Sequence, residues 1–256
     1  MSHRYEIGAI EGVSFESEGA FLLGTIYIGS KEGTKPTALL LHGLPGFEKN
    51  VDIAYALREE GWNVLIPHYR GCWGSEGKYT FTGIIADVKN AITMMATRPY
   101  VDVNNIFLVG HSLGGWAAMV TAAQDERICG AIAIAEGTTL VEASDQVQVH
   151  LRNIIEHRFL KGISYQRALQ DYKKMGSELA AQDWITAIAP RPILLVGGTE
   201  DAVVSTTRVQ ALYDAAQEPK TLIFIDGADR VFTRKRRELV EVVTRWLGAN
   251  MSTSER

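Results

Sequence analysis

A chain of 256 residues, 46% hydrophobic and 22% charged with a formal net charge of −4, has the make-up of a globular protein large enough for a sizeable core. That charge balance gives no electrostatic reason to expect nucleic acid or an anionic membrane as partner. Two cysteines, Cys72 and Cys129, are too few for a disulfide framework or a zinc site and suit a reducing cytoplasm. No apolar run reaches the ~18 residues of a membrane span, and the N-terminus lacks the apolar centre of a signal peptide, so a soluble cytoplasmic protein is expected.

In chain order, Tyr5–Phe15 and Ala20–Ile28 alternate as strands do and predict a β-hairpin turning at Glu16–Gly19. From Thr37 the pattern changes. Short apolar runs at Thr37–Leu41, Asn63–Pro67, Ile106–Val109, Ile128–Ala135, Pro192–Val196 and Thr221–Ile225 read as strands covered on both faces. Between them, helical periodicity predicts helices over Val51–Glu60, Ile84–Ala96, Leu113–Gln124, Thr206–Ala216 and Thr233–Leu247. This βαβ rhythm implies an α/β fold, a mostly parallel central sheet flanked by helices with the hairpin at one edge. The basic run Arg234–Arg237 reads as a solvated first turn of the terminal helix.

The rhythm breaks between Ala135 and Pro192, an interval too long for a βα connection. Val147–Phe159 and Tyr165–Met175 are amphipathic within it, and residues 138–186 are predicted to form a small helical cap inserted in a single domain spanning 1–256.

Gly110-His111-Ser112-Leu113-Gly114 joins the strand ending at Val109 to the helix beginning at Leu113. A turn this tight strains its central residue and leaves no room for flanking side chains, which is what the two glycines supply. Ser112 is therefore the candidate nucleophile, set at a helix N-terminus where a developing negative charge is favoured. Acyl transfer also needs two backbone N–H groups aimed at the oxyanion. Leu113 supplies one, and Leu44 in His42-Gly43-Leu44-Pro45-Gly46 supplies the other, since Pro45 has no N–H. His42 is expected to brace that loop, and His111 to leave the turn away from Ser112 and serve structurally.

These motifs, with Tyr69-Arg70-Gly71-Cys72-Trp73-Gly74-Ser75-Glu76-Gly77 between them, resemble the α/β-hydrolase superfamily. Within it the chain is similar to the small cinnamoyl/feruloyl-type carboxylesterases, with kinship to dienelactone-hydrolase-like and prolyl-oligopeptidase-like catalytic domains. The resemblance covers nearly the whole chain apart from the cap segment. It implies a serine hydrolase working through an acyl-enzyme, without metal or organic cofactor. It also implies a catalytic acid in Gly197-Gly198-Thr199-Glu200-Asp201, matched by Asp201 rather than Glu200.

The family's general base is a histidine in a Gly-x-x-His-x-Phe setting after the last strand. Here the frame is Gly227-Ala228-Asp229-Arg230-Val231-Phe232, so Arg230 stands in the histidine's place, and no histidine follows His157. A guanidinium stays protonated and has no acceptor lone pair, so it cannot take the serine's proton. Three explanations remain: a His→Arg change, natural or introduced, in an otherwise competent carboxylesterase; a non-catalytic homologue that binds a ligand or partner; or a base relocated to His150 or His157. Phe159, Tyr165, Tyr172, Trp184, Trp73 and Tyr79 are expected to line an apolar pocket for a small apolar or aromatic ester. A peptidase would normally carry a further large domain to limit access, and a dienelactone hydrolase a cysteine nucleophile. A homodimer is compatible with the sequence, which carries no specific sign of one.

Overall fold

Burial alternates along the first two strands, is nearly continuous in the central ones and is only partial in the last, which forms the other edge of the sheet. The structure, a computed structural model, describes residues 9–29, 32–136 and 145–251. Strands β1 (Ile10–Ser17) and β2 (Ala20–Tyr27) pair antiparallel, with Ser17 opposite Ala20. Their turn is Glu18-Gly19 with φ of 47° and 78°, the paired positive values that match strand twist in a two-residue hairpin. Glu16 and Ser17 therefore belong to the strand rather than to the turn predicted at Glu16–Gly19, and the expected start at Tyr5 lies outside the described residues.

Strands β3 (Lys35–Leu41), β4 (Asn63–Pro67), β5 (Val101–His111), β6 (Ile128–Ile134), β7 (Ile193–Gly198) and β8 (Lys220–Ile225) run parallel. The sheet order is β1-β2-β4-β3-β5-β6-β7-β8, with β2 antiparallel to β4. Helices α1 (Val51–Glu59) and α8 (Arg236–Ala249) cover one face through Ile53, Leu57, Leu239, Val243 and Leu247. On the other face lie α2 (Ile84–Ala96), α3 (Leu113–Gln124) and α7 (Thr206–Ala215). Helix α8 begins later than the predicted Thr233. Its Arg236 is not solvated as expected: Nε and Nη2 clamp the Asp52 carboxylate of α1 at 2.8 and 2.5 Å.

Between β6 and β7 the chain forms α4 (Asp145–Glu156), α5 (Tyr165–Glu178), α6 (Ala181–Trp184) and a 3₁₀ turn at Ile185–Ile188. Residues 138–144 of the expected insertion lie outside the described residues. Polar ties dock this segment on the sheet, including the bonds of the Lys161 backbone to Gly71 and Tyr79. Trp116 Nε1 of α3 donates to the Leu179 carbonyl at 2.6 Å, and the Asp171 carboxylate of α5 accepts from Thr82 Oγ1 at 2.8 Å and from the N–H of Phe81. No helix among the described residues is long and apolar enough to cross a membrane.

Candidate active site

The carboxyl ends of β3, β5, β6, β7 and β8 converge on one cavity of about 1010 Å³, where ligands of open α/β sheets bind. Ser112 stands between β5 and α3 with φ 56° and ψ −124°. A non-glycine residue in that region costs roughly 1–3 kcal/mol and persists only where its surroundings over-determine it. They do so here. A Cβ on Gly110 would lie 1.9 Å from the Gly114 carbonyl oxygen, and one on Gly114 would lie 1.9 Å from that of Leu41. The Ser112 N–H is held by the Ile134 carbonyl of β6 at 2.8 Å.

Leu113 is the first residue of α3, so its N–H has no intrahelical acceptor. Leu44 lies across the cavity wall, on the loop after β3. That loop is braced from several sides. His42 Nδ1 donates to the Gly43 carbonyl at 2.8 Å, Tyr69 Oη donates to the His42 carbonyl at 3.0 Å, and Trp73 Nε1 donates to the Pro45 carbonyl at 2.8 Å. The Tyr69–Gly77 segment thus supports the Leu44 loop. It is itself anchored by Arg70, whose Nε and Nη2 grip the buried Asp87 carboxylate of α2 at 2.9 and 2.6 Å. Burial drives the His42 imidazole down to about 3, so it is a neutral brace and not a base at ordinary pH.

His111 Nε2 meets the Arg230 carbonyl at 2.9 Å, and because a carbonyl only accepts, that nitrogen carries the proton. Burial lowers His111 to about 4. Its role is to fix the backbone of the loop after β8 against the elbow.

Asp201 follows β7, and its carboxylate is 1% exposed. Oδ1 accepts from the N–H groups of Val203 and Val204 at 2.8 and 2.9 Å. Oδ2 faces the Arg230 guanidinium, with Nη1 at 3.3 Å. Arg230 Nη2 in turn donates to Ser112 Oγ at 2.6 Å. Arg230 thus bridges Asp201 and Ser112, the position an imidazole would take between an acid and a nucleophile.

Of the two histidines considered as relocated bases, His150 is an exposed residue at the cavity wall. His157 is exposed, bonds the Asn153 carbonyl through Nδ1 at 2.8 Å and stacks on Phe159. Among the described residues, the hydrogen-bond partner of Ser112 Oγ is Arg230.

The aromatic lining differs from expectation. Tyr172 reaches the cavity, joined there by Phe47 and Phe81. Tyr79 is buried in the core, Trp73 hydrogen-bonds Pro45, Trp184 Nε1 donates to the Glu178 carbonyl, and Phe159 packs edge-on against Phe47 outside the cavity wall. Tyr165 is engaged by Arg152, whose guanidinium sits 4.6 Å over its ring. Three charged lining residues, Glu48, Glu136 and Arg208, are not marked by any sequence motif. Glu136 follows the end of β6, a position that strand ends alone could have flagged. Burial, then the Glu136 charge, raises the Tyr172 phenol.

The model described as the prolyl oligopeptidase family matches residues 49–252. The uncharacterized protein YfhR of Salmonella typhimurium is 27% identical over 206 residues, 79% of this chain and 67% of the relative. Among solved structures, the alpha/beta hydrolase GrgF from Penicillium sp. sh18 superposes with a TM-score of 0.74 at 18% identity, over 95% of this chain and 99% of that one. Est1E from Butyrivibrio proteoclasticus, with ferulic acid bound, gives 0.75 at 17% identity over 93% and 98%. The fold is that of the α/β hydrolases.

Proposed function

The chain belongs to the prolyl oligopeptidase family of α/β hydrolases, and on that premise we propose that it is a carboxylesterase-type serine hydrolase whose turnover is blocked at one residue. The observation that carries this reading is Ser112, strained at φ 56° at the start of α3 and facing a cavity of about 1010 Å³. In the proposed reaction Ser112 Oγ attacks the ester carbonyl carbon, and the oxyanion is received by the N–H groups of Leu44 and Leu113. Collapse of that intermediate expels the alcohol and leaves an acyl-enzyme, which water then hydrolyses. Asp201 is the acid that would orient an imidazole at position 230.

Arg230 stops the cycle at its first proton transfer. The guanidinium accepts no proton from Ser112 and returns none to the leaving group. The helices α4, α5 and α6 act in this reading as a cap, with Val147, Leu151, Tyr172 and Met175 presenting apolar surface to the acyl chain. Ferulic acid bound to Est1E supports an aromatic or apolar acyl group as the substrate class.

The test is hydrolysis of p-nitrophenyl acetate, butyrate and octanoate by the chain and by Arg230→His. General-base chemistry supplies about 10²–10⁴-fold, and an increase of that order in kcat/KM is expected from the histidine variant. Adding Ser112→Ala to it should remove the gain. A folded Arg230→His variant no more active than the original chain overturns the reading. A second reading, a ligand-binding module without turnover, is favoured by the simultaneous hold of Arg230 on Asp201 and Ser112.

A further inference from the structure

We propose that the Arg230 corner of the cavity is a receptor for a monocarboxylate, with Ser112 acting there as a hydrogen-bond donor. The inference rests on the assignment above of Ser112, Leu44 and Leu113 to one acyl-binding corner.

The direction of one hydrogen bond decides the chemistry. A guanidinium offers five N–H donors and no acceptor, so at 2.6 Å from Nη2 the Ser112 oxygen must accept. The hydroxyl proton is then turned away from position 230. In a serine–imidazole pair the polarity is opposite, because the hydroxyl donates and its lone pairs are left for an electrophilic carbon. Arg230 therefore does more than omit a base. It occupies a lone pair on Oγ and leaves the O–H free to donate.

Other polar groups at the corner do not reverse this. Among the described residues, Asp201 is committed to the N–H groups of Val203 and Val204 and to Arg230 Nη1. The second contact of Nη1 is the Ala135 carbonyl at 3.5 Å. Among the described residues, these bonds leave Nε and the second N–H of Nη2 unassigned, on a side chain that remains 27% exposed. With the N–H groups of Leu44 and Leu113, the uncommitted groups of the corner are donors, the Asp201 carboxylate being engaged by Val203, Val204 and Arg230. A neutral ester offers it one good acceptor, its carbonyl oxygen. A carboxylate offers two oxygens and a charge, and charge-assisted bonds to a guanidinium are the stronger kind.

The remainder of the ligand is constrained by the walls. Phe81, Leu151, Met175 and Val204 give apolar surface, whereas Glu136 lines the same cavity and opposes a second negative group. Arg208 also lines it, and Glu48 adds a further carboxylate. The expected occupant is thus an acid with one carboxylate and an uncharged, largely apolar tail.

Calorimetric titration of the full chain with cinnamate and octanoate, each against its methyl ester, tests this. The acid is expected to bind about 10- to 100-fold more tightly than its ester, the range that hydrogen bonds to a charged group supply. Arg230→Met should remove that preference, bringing the acid's affinity to within about threefold of its ester's, since it loses the charged donors and keeps side-chain bulk. Ser112→Ala should weaken the acid about fivefold, as for a single donor lost. Circular dichroism confirms that each variant is folded.

Equal affinity for acid and ester, no binding of either, or a preference that survives Arg230→Met would each overturn the inference. Hydrolysis by Arg230→His reports separately on the hydrolase reading. An active histidine variant with no acid preference in the original chain removes this inference alone. Acid preference with an inactive histidine variant removes the hydrolase reading and leaves the carboxylate receptor standing.

Discussion

The elbow around Ser112 and the loop carrying Arg230 touch each other, yet they are held in place by different means. In the elbow, side-chain identity is dictated by space: Gly110 and Gly114 each sit where a Cβ would meet a backbone oxygen at 1.9 Å. In the loop between β8 and α8, the backbone does the positioning. The Arg230 carbonyl accepts from His111, and Asp229 Oδ1 caps the N–H groups of Val231 and Thr233 at 3.2 and 2.9 Å. The Phe232 side chain, fully buried, plugs the loop into the core. The Arg230 side chain projects from this frame into the cavity and supports none of it. The fold therefore constrains position 112 closely through sterics, whereas at position 230 it fixes the backbone and not the identity of the side chain.

The sharpest way to break that contrast is by substitution on each side. Gly114→Ala and Gly110→Ala are expected to yield no stably folded protein, because the added methyl collides with backbone rather than with a movable side chain. Arg230→His should fold with a melting temperature within about 4 °C of the original, a change of at most roughly 1 kcal/mol for a domain of this size. Scanning calorimetry checks both. A well-folded Gly114→Ala protein would show that the elbow is less constrained than its geometry implies.

The same contrast explains what could be read from the amino-acid order. Ile84–Ala96 and Leu113–Gln124 are found where periodicity predicts them, and Asn63–Pro67 likewise, because apolar period and burial coincide in these segments. The elbow is legible since sterics leave glycine as the only choice beside Ser112. Helix α4 ends at Glu156 rather than Phe159, and Arg158 then takes φ 58°, a local reversal that amphipathic spacing does not encode. Arg230 was legible only as a misfit against a family frame, and its bond to Ser112 followed from three-dimensional placement. Which aromatics face the cavity was not legible: Trp73 and Tyr79 are spent on the Leu44 loop and the core, contacts between segments far apart in the chain. Glu136 and Arg208 carry no motif, and reach the cavity because it is bordered by the end of β6 and the first turn of α7.

Within an Arg230→His background the acid can be tested next. Asp201→Asn should lower kcat/KM on p-nitrophenyl butyrate by about 10²–10⁴-fold, because an amide no longer stabilises the imidazolium or fixes its tautomer. A loss below about threefold would mean that Asp201 serves the loop and not the site.

A smaller effect separates the two regions by pH. His42 and His111, at about 3 and 4, lie below the ordinary imidazole value of 6.5 because burial penalises the charged form. Between the folded and unfolded values the unfolded chain binds the extra proton. Stability is therefore complete above pH 6.5 and falls as pH drops toward 4, by about 1.4 kcal/mol per pH unit for each group. Urea midpoints at pH 7.5 and pH 5 should show the fall. His111→Gln keeps a donor for the Arg230 carbonyl and should remove its own share, on the order of 1–2 kcal/mol at pH 5, leaving those of His42 and of His68, which burial also lowers to about 4. An unchanged pH dependence in that variant would place the acid sensitivity elsewhere.

The smallest expected effect is the most discriminating for the acid, because it concerns adjacent residues. Glu200 and Asp201 are both carboxylates at the end of β7, and chemistry by residue type does not choose between them. Their surroundings do. The Glu200 side chain is exposed and absent from the cavity wall, and its backbone N–H is tied to the Ala228 carbonyl at 2.9 Å, which helps shape the Arg230 loop. The Asp201 side chain is 1% exposed, faces position 230 and is held by two backbone donors. In the Arg230→His background, Glu200→Gln should change kcat/KM by less than about twofold, because it alters only a solvated charge near the site. A loss from Glu200→Gln exceeding that from Asp201→Asn would exchange their roles. It would also mean that the loop turns by one residue when a histidine replaces the guanidinium, so that the backbone frame holding position 230 would not be independent of its side chain.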